Sequence, residues 1–168
     1  MRVVFVEPAF PNNQREFVRA LAAVGAEVWA VGEAPVEALP QEVKRHLTGY
    51  EQVRSVVHEP SLEAAVKRIQ EQGWVDRLEA TVEAHMMAVA RVREACSIPG
   101  TSVRTTFLCR DKPAMKEVLR EAGVPCAQSV GAESAEQVRE FAKEVGYPLI
   151  LKPHDAAGAA GTYRADDD

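Results

Sequence analysis

With 168 residues, the chain can form one domain, or one domain and part of a second, and its 46% apolar and 27% charged residues are ordinary for a globular protein. A net charge of -5 leaves no basic footprint, which argues against nucleic acid as a partner. No apolar run is long enough to span a bilayer, so no membrane partner is expected, and Glu7-Pro8 ends the first apolar run too early for a signal peptide. Cys96, Cys109 and Cys126 are odd in number and irregularly spaced. They read as reduced packing thiols of a cytoplasmic protein. His46, His58, His85 and His154 show no ligand spacing either, so no metal site is assigned.

The first hundred residues alternate strand and helix signals. Residues 3–6 are a β-branched and aromatic run that predicts a strand. Residues 13–24 place Phe17, Ala20, Leu21 and Val24 at helical spacing, and Gly25 stops the helix. A second strand is predicted over 27–31, ending at Gly32, and a weaker third over 53–57. Ser61 is a candidate cap for a helix whose Leu62, Ala65, Val66 and Ile69 share a face until Gly73. Residues 75–82 predict a fourth strand. Val89, Val92 and Cys96 then form a helical stripe before Ile98-Pro99-Gly100. Such alternation predicts a parallel sheet covered on both faces, a Rossmann-like α/β domain over residues 1–100. Its first turn, Glu7 to Asn13, contains no glycine, which argues against a dinucleotide site.

Residues 101–109 read as a connector. Asp111 caps a helix with Met115, Val118, Leu119 and Ala122 on one face, closed by Gly123. Residues 124–130 predict an edge strand that tolerates Pro125. Ser134-Ala135-Glu136-Gln137 is a capping-box pattern, and Val138, Phe141, Ala142 and Val145 form the buried stripe of the helix it opens. After Gly146, Pro148-Leu149-Ile150-Leu151 reads as a buried strand that delivers Lys152 to a small-residue loop ending in Gly158-Ala159-Ala160-Gly161-Thr162. A lysine at a strand end needs a partner for its charge, and a loop without bulk lets backbone N–H groups approach an anion. Together they read as a phosphate cradle. The expected division is therefore 1–100, a connector and helix over 101–124, and a second unit over 125–168.

Four linked signatures occur in order: Arg110-Asp111-Lys112, Glu121-Ala122-Gly123-Val124-Pro125, Phe141 to Pro148, and Ile150-Leu151-Lys152-Pro153 with its glycine loop. This order resembles the ATP-grasp superfamily of carboxylate–amine ligases, biotin carboxylase and carbamoyl-phosphate synthase. The resemblance implies a pre-ATP-grasp domain followed by a partial α+β ATP-grasp subdomain. It implies ATP as the bound nucleotide, with Lys112, Lys152, Gly158, Gly161 and Thr162 as its binding residues. It also implies a small-molecule carboxylate and an amine or other nucleophile as substrates, joined through an acyl-phosphate. Mg2+ is implied too, with its ligands outside these residues. A complementing C-terminal half or a homo-oligomer is then the expected protein partner, and catalysis by these residues alone is not expected. The alternative is a non-catalytic α/β binding module of ATP-grasp descent. Glu83, Asn12, Asn13 and Arg164 read as helix-end, turn and surface residues, Asp166 to Asp168 as a solvated acidic end, and Trp29 and Trp74 as core or domain-contact residues.

Overall fold

A computed structural model describes residues 1–153 and 161–168, and divides the chain into two units, Met1–Thr106 and Phe107–Asp168. In the first unit the strands are β1 (Arg2–Val6), β2 (Glu27–Gly32), β3 (Gly49–Gln52) and β4 (Arg77–Glu79). All pair in parallel in the order β3-β2-β1-β4, with Val4 opposite both Trp29 and Leu78. The connecting helices are α1 (Gln14–Ala23), α2 (Gln41–Lys44), α3 (Glu59–Gln70) and α4 (Met86–Ala95).

Alternation along β1 decides the layering. Val4 and Val6 face a core made with Leu62, Val66 and Ile69 of α3 and Val89 and Val92 of α4. Phe5 faces the other way, into a cluster with Val18 of α1, Val28 and Val43. A strand buried on both faces needs helices on both faces, and a parallel sheet supplies the crossovers that place them there. The left-handed Gly25 (φ 80°) closes α1 with a Schellman pair, Gly25 N–H to Ala22 O at 3.0 Å and Ala26 N–H to Leu21 O at 3.1 Å.

Two expectations for this unit are corrected. The third strand is Gly49–Gln52, not 53–57, because Gly49 leaves room for the Trp29 ring, which any side chain there would strike. Val53 and Val56 are apolar because their loop fills the core beneath the sheet. Helix α3 starts at Glu59 with Pro60 in its first turn, so Ser61 lies inside it and pairs its hydroxyl with His58 Nδ1 at 2.7 Å. Trp29 is half-buried, whereas Trp74 is exposed.

Residues expected as a connector fold as helix α5 (Val103–Arg110), within which the two units divide. Its run of Thr105 and Thr106 carries no apolar stripe to announce it.

The second unit contains α6 (Lys112–Glu121), α7 (Ala135–Val145) and the antiparallel pair β5 (Leu149–Leu151) and β6 (Tyr163–Ala165). Both helix starts are capped: Asp111 Oδ1 accepts the Ala114 N–H at 2.9 Å, and Ser134 Oγ accepts that of Gln137 at 3.3 Å. The return half of the box is displaced by one residue, since Gln137 Oε1 accepts the Glu133 N–H at 2.7 Å. Residues 124–130 are not a strand. Lys116 Nζ donates to Ala127 O at 3.2 Å and Arg120 Nη2 to Ser129 O at 3.2 Å, so side chains of α6 hold this segment instead of a ladder.

Burial in this unit is slight. Ala142 and Leu149 are buried, while Val138, Phe141 and Val145 are only half-buried. The strand expected to be buried therefore presents Ile150 (53% exposed) and Leu151 to solvent. No described helix is long and apolar enough to cross a membrane.

The contrast in burial sets a stability prediction. Ile69→Ala, at a fully buried position, should cost about 2–5 kcal/mol, and Ile150→Ala should stay within about 0.5 kcal/mol. Urea denaturation followed by circular dichroism checks both. Similar losses at the two positions would contradict the burial pattern.

Candidate functional site

The basic residues of the second unit converge through the period of one helix. Lys112, Lys116 and Arg120 follow one another at every fourth position of α6, so they share a face. That face, the end of β5 and the far end of the glycine loop line one open concavity of 1470 Å³. Lys112 contributes from the first residue of α6, immediately after the Asp111 cap, and Lys152 from the residue after β5. Met115, Val138, Phe141 and Ile150 add an apolar strip. Among the described residues the lining carries four basic side chains, Lys112, Lys116, Arg120 and Lys152, against the two carboxylates of Asp111 and Glu117. On a chain of net charge -5, this local excess of cations is the reverse of the global balance.

The five residues singled out from the sequence do not all meet here. Lys112, Lys152 and Gly161 line the concavity; Thr162 follows Gly161 and is half-buried but is not among the lining residues. Gly158 lies outside the described residues. Gly161 has a specific reason to be glycine. Its φ of 67° is left-handed, and a Cβ there would lie 2.9 Å from Pro153 Cγ, so Gly161 itself packs tightly against the residue after Lys152. Sequence reasoning passed over Lys116 and Arg120. The spacing of four from Lys112 was the available signal.

The donors present suit a polyanion: ammonium and guanidinium groups around an apolar strip. Nothing described suits a resident divalent cation, since no group of three His, Cys, Asp or Glu residues that could hold a metal ion occurs among the described residues. Of the remaining candidates, Glu83 lies in the 3-10 turn before α4, and Arg164 is paired with Asp166 at 2.7 Å. Tyr147 donates its hydroxyl to Asp168 at 2.9 Å, so Asp166 and Asp168 are both held.

A second polar feature sits at the carboxyl edge of the first unit's sheet, where open α/β sheets present their loops. Glu7 follows β1 with a left-handed backbone (φ 59°), a conformation costly for a side chain of this size. Its Oε1 accepts the Glu33 N–H at 2.6 Å, and Glu33 Oε1 accepts the Val56 N–H at 2.9 Å. The loops after β1, β2 and β3 are thus tied in series by two carboxylates. Tyr50 donates to Ala34 O at 2.6 Å beside them. Gly32 makes the packing possible, since a Cβ there would lie 2.7 Å from the Tyr50 hydroxyl.

Burial pushes the Glu7 carboxyl up from its ordinary range, with the Glu33 charge adding to the rise and the Glu33 N–H opposing it. A carboxyl whose folded pKa exceeds its unfolded value costs stability once ionised, and the loss develops as pH rises from the unfolded to the folded value. Glu7→Gln keeps an oxygen for the Glu33 N–H and removes the charge. The variant should therefore be more stable than the parent at pH 7, and the difference should shrink as pH falls through the carboxylate range. Thermal unfolding across pH 4 to about pH 7 reads both signs. A variant less stable at neutral pH would contradict the assignment.

Residues 111–168 match the family described as "Carbamoyl-phosphate synthase L chain, ATP binding domain". The carbamoyl phosphate synthase large chain of Caldanaerobacter subterraneus subsp. tengcongensis is 38% identical over 69 residues, which cover 41% of this chain and 6% of that protein. Among solved structures, N5-carboxyaminoimidazole synthetase from Staphylococcus aureus matches with a TM-score of 0.73 at 14% identity, over 99% of this chain and 41% of that one. Biotin carboxylase from Campylobacter jejuni, solved as a β-γ-ATP complex, matches with a TM-score of 0.70 at 24% identity, over 98% of this chain and 38% of that one. At these identities the structural likenesses speak for the fold. Residues 111–168 are thus similar to an ATP-binding domain of carbamoyl-phosphate synthase, and the chain shares the fold of about two-fifths of each of these two solved structures.

Proposed function

We propose that this chain supplies the first nucleotide-phosphate-binding elements of an ATP-dependent ligase that joins a small-molecule carboxylate to an amine or related nucleophile. The observation that carries the reading is the shared concavity of Lys112 and Lys152, lined with an excess of cations in the segment that matches an ATP-binding domain. In this reading Lys112 and Lys152 offset phosphate charge. Gly161 lets the loop backbone come close to an anion, and Gly158 and Thr162 belong to the same loop. Phosphoryl transfer asks mainly for positioning and charge stabilisation, and fixed cations beside an apolar strip supply both.

The reaction served is the family's: a carboxylate oxygen takes the γ-phosphoryl group as ADP departs. The nucleophile then attacks the acyl carbon, loses a proton and expels phosphate. Mg2+ would accompany the nucleotide, and no described residue is assigned to it. The chain spans 38% to 41% of the two solved structures above, so the acceptor substrate and the metal ligands are assigned to residues outside this sequence.

The test is calorimetric titration of the chain with ATP and Mg2+. Lys112→Ala and Lys152→Ala should each weaken binding by about tenfold or more, the loss expected for a hydrogen bond to a charged group. Lys143→Ala, on the exposed side of α7 and outside the concavity, should leave affinity unchanged. ATP binding indifferent to both lysines would overturn the site. Absence of binding in the parent chain would favour a non-catalytic module.

A further inference from the structure

Residues 127–132 line part of the basic concavity without a strand partner to support them. Among the described residues, no amide from Cys126 to Ala132 donates to a backbone carbonyl. Side chains of α6 take the place of that support. Arg120 Nη2 donates twice to one residue, to Ser129 Oγ at 2.9 Å and to Ser129 O at 3.2 Å. Lys116 Nζ donates to Ala127 O at 3.2 Å, and Cys126 Sγ lies 3.9 Å from Lys116 O. Alternate residues of the segment are thus held, from positions about one turn apart on α6.

The two holds are not equivalent. Lys116 meets a single carbonyl with a flexible ammonium, whereas Arg120 brings a planar guanidinium to both oxygens of Ser129. Each oxygen can take one of the two N–H groups of Nη2, so the serine is fixed through its side chain and its backbone together. Ser129 is half-buried, while Gln128 and Val130 on either side of it are exposed, so the serine is where the segment is seated.

We propose that Arg120 is a positioning residue of the nucleotide site, one that acts through Ser129. By seating Ser129 it sets residues 127–132 as a fixed wall of the concavity, and so shapes the space in which Lys152 meets phosphate. It does so without itself touching the nucleotide. The role rests on the nucleotide reading above, in which Lys112 and Lys152 offset the phosphate charge. A seated wall matters more in this unit than it would in the first, because few apolar residues are buried here to hold a loop in place. A wall in place before the ligand arrives removes an ordering cost from binding.

Cys126 makes the wall observable, because it is half-buried beside the held residues, whereas Cys96 is buried in the core of the first unit. In Arg120→Ala, alkylation of Cys126 by iodoacetamide, read by peptide mass spectrometry, should accelerate about tenfold, the factor expected for loss of a hydrogen bond to a charged group. Cys96 should stay as slow as in the parent chain, which separates release of the wall from general unfolding. Titration calorimetry with ATP and Mg2+ supplies the second readout. Arg120→Ala should weaken binding about tenfold and Ser129→Ala about threefold. The double variant should bind no more weakly than Arg120→Ala, since the two residues act as a pair. Losses that multiply in the double variant, or unchanged Cys126 reactivity in Arg120→Ala, would overturn the positioning role. Full affinity in Arg120→Ala beside weakened binding in Lys152→Ala overturns it too, and leaves the lysine site standing. A parent chain that binds no ATP overturns both. Ser129→Ala removes only a hydroxyl oxygen, so it decides the matter if Arg120→Ala fails to fold: Cys126 labelling and affinity should each change about threefold.

Discussion

The double-sided burial of β1 is the constraint on which the first unit depends. Val4 and Val6 on one face and Phe5 on the other cannot all leave water unless helices cover both sides. Parallel pairing with β2 and β4 then follows, because the crossovers that return the chain to the same sheet edge are the helices that do the covering. All the loops that follow strands are consequently gathered at one edge. The Glu7 and Glu33 carboxylates lie there, pinning successive loops by their backbone amides. The strained backbone at Glu7 and its desolvated charge are tolerable because the sheet beneath them is so completely packed.

The second unit obeys a different balance. With Ala142 and Leu149 as its buried apolar residues, hydrophobic burial contributes little, and polar contacts define its shape. Asp111 and Ser134 set the helix starts. The Gly123 and Val124 amides close α6 onto Arg120 O and Leu119 O at 3.0 and 2.9 Å, and Lys116 and Arg120 reach across to hold 127–129. The basic side chains therefore have two tasks. Lys116 and Arg120 tie down a segment with no ladder of its own, while Lys152 stands at the end of a short strand, facing the same space.

What was legible in the sequence was what local chemistry decides. The strands at 3–6 and 27–31, the glycine ends of α1 and α6, and the caps at Asp111 and Ser134 each rest on residues close together in the chain. What was not legible depends on distant partners. β3 lies where it does because Gly49 accommodates Trp29, a contact twenty positions away that makes a weak-looking segment a strand and leaves Val53 and Val56 to a loop. α5 was hidden because its start is fixed by Glu94 and Ser102 and not by an apolar stripe. The strand expected over 124–130 met side chains in place of a neighbouring strand. At the candidate site, Lys112 and Lys152 stood out only through the order of the motifs around them, whereas the cationic face they share with Lys116 and Arg120 needed helix geometry to be seen.

The unequal packing of the two units bears on how a polyanion would be held. A heavily buried sheet resists deformation, so residues built on it keep their positions without a ligand. The cationic concavity lies instead in the unit with little buried apolar surface and with β5 exposed, where opening costs least. Any ligand that binds only the ordered form adds its binding free energy to that form's stability. On the proposed reading, a phosphate group bound beside Lys116 and Lys152 would supply order that the unit's small core does not.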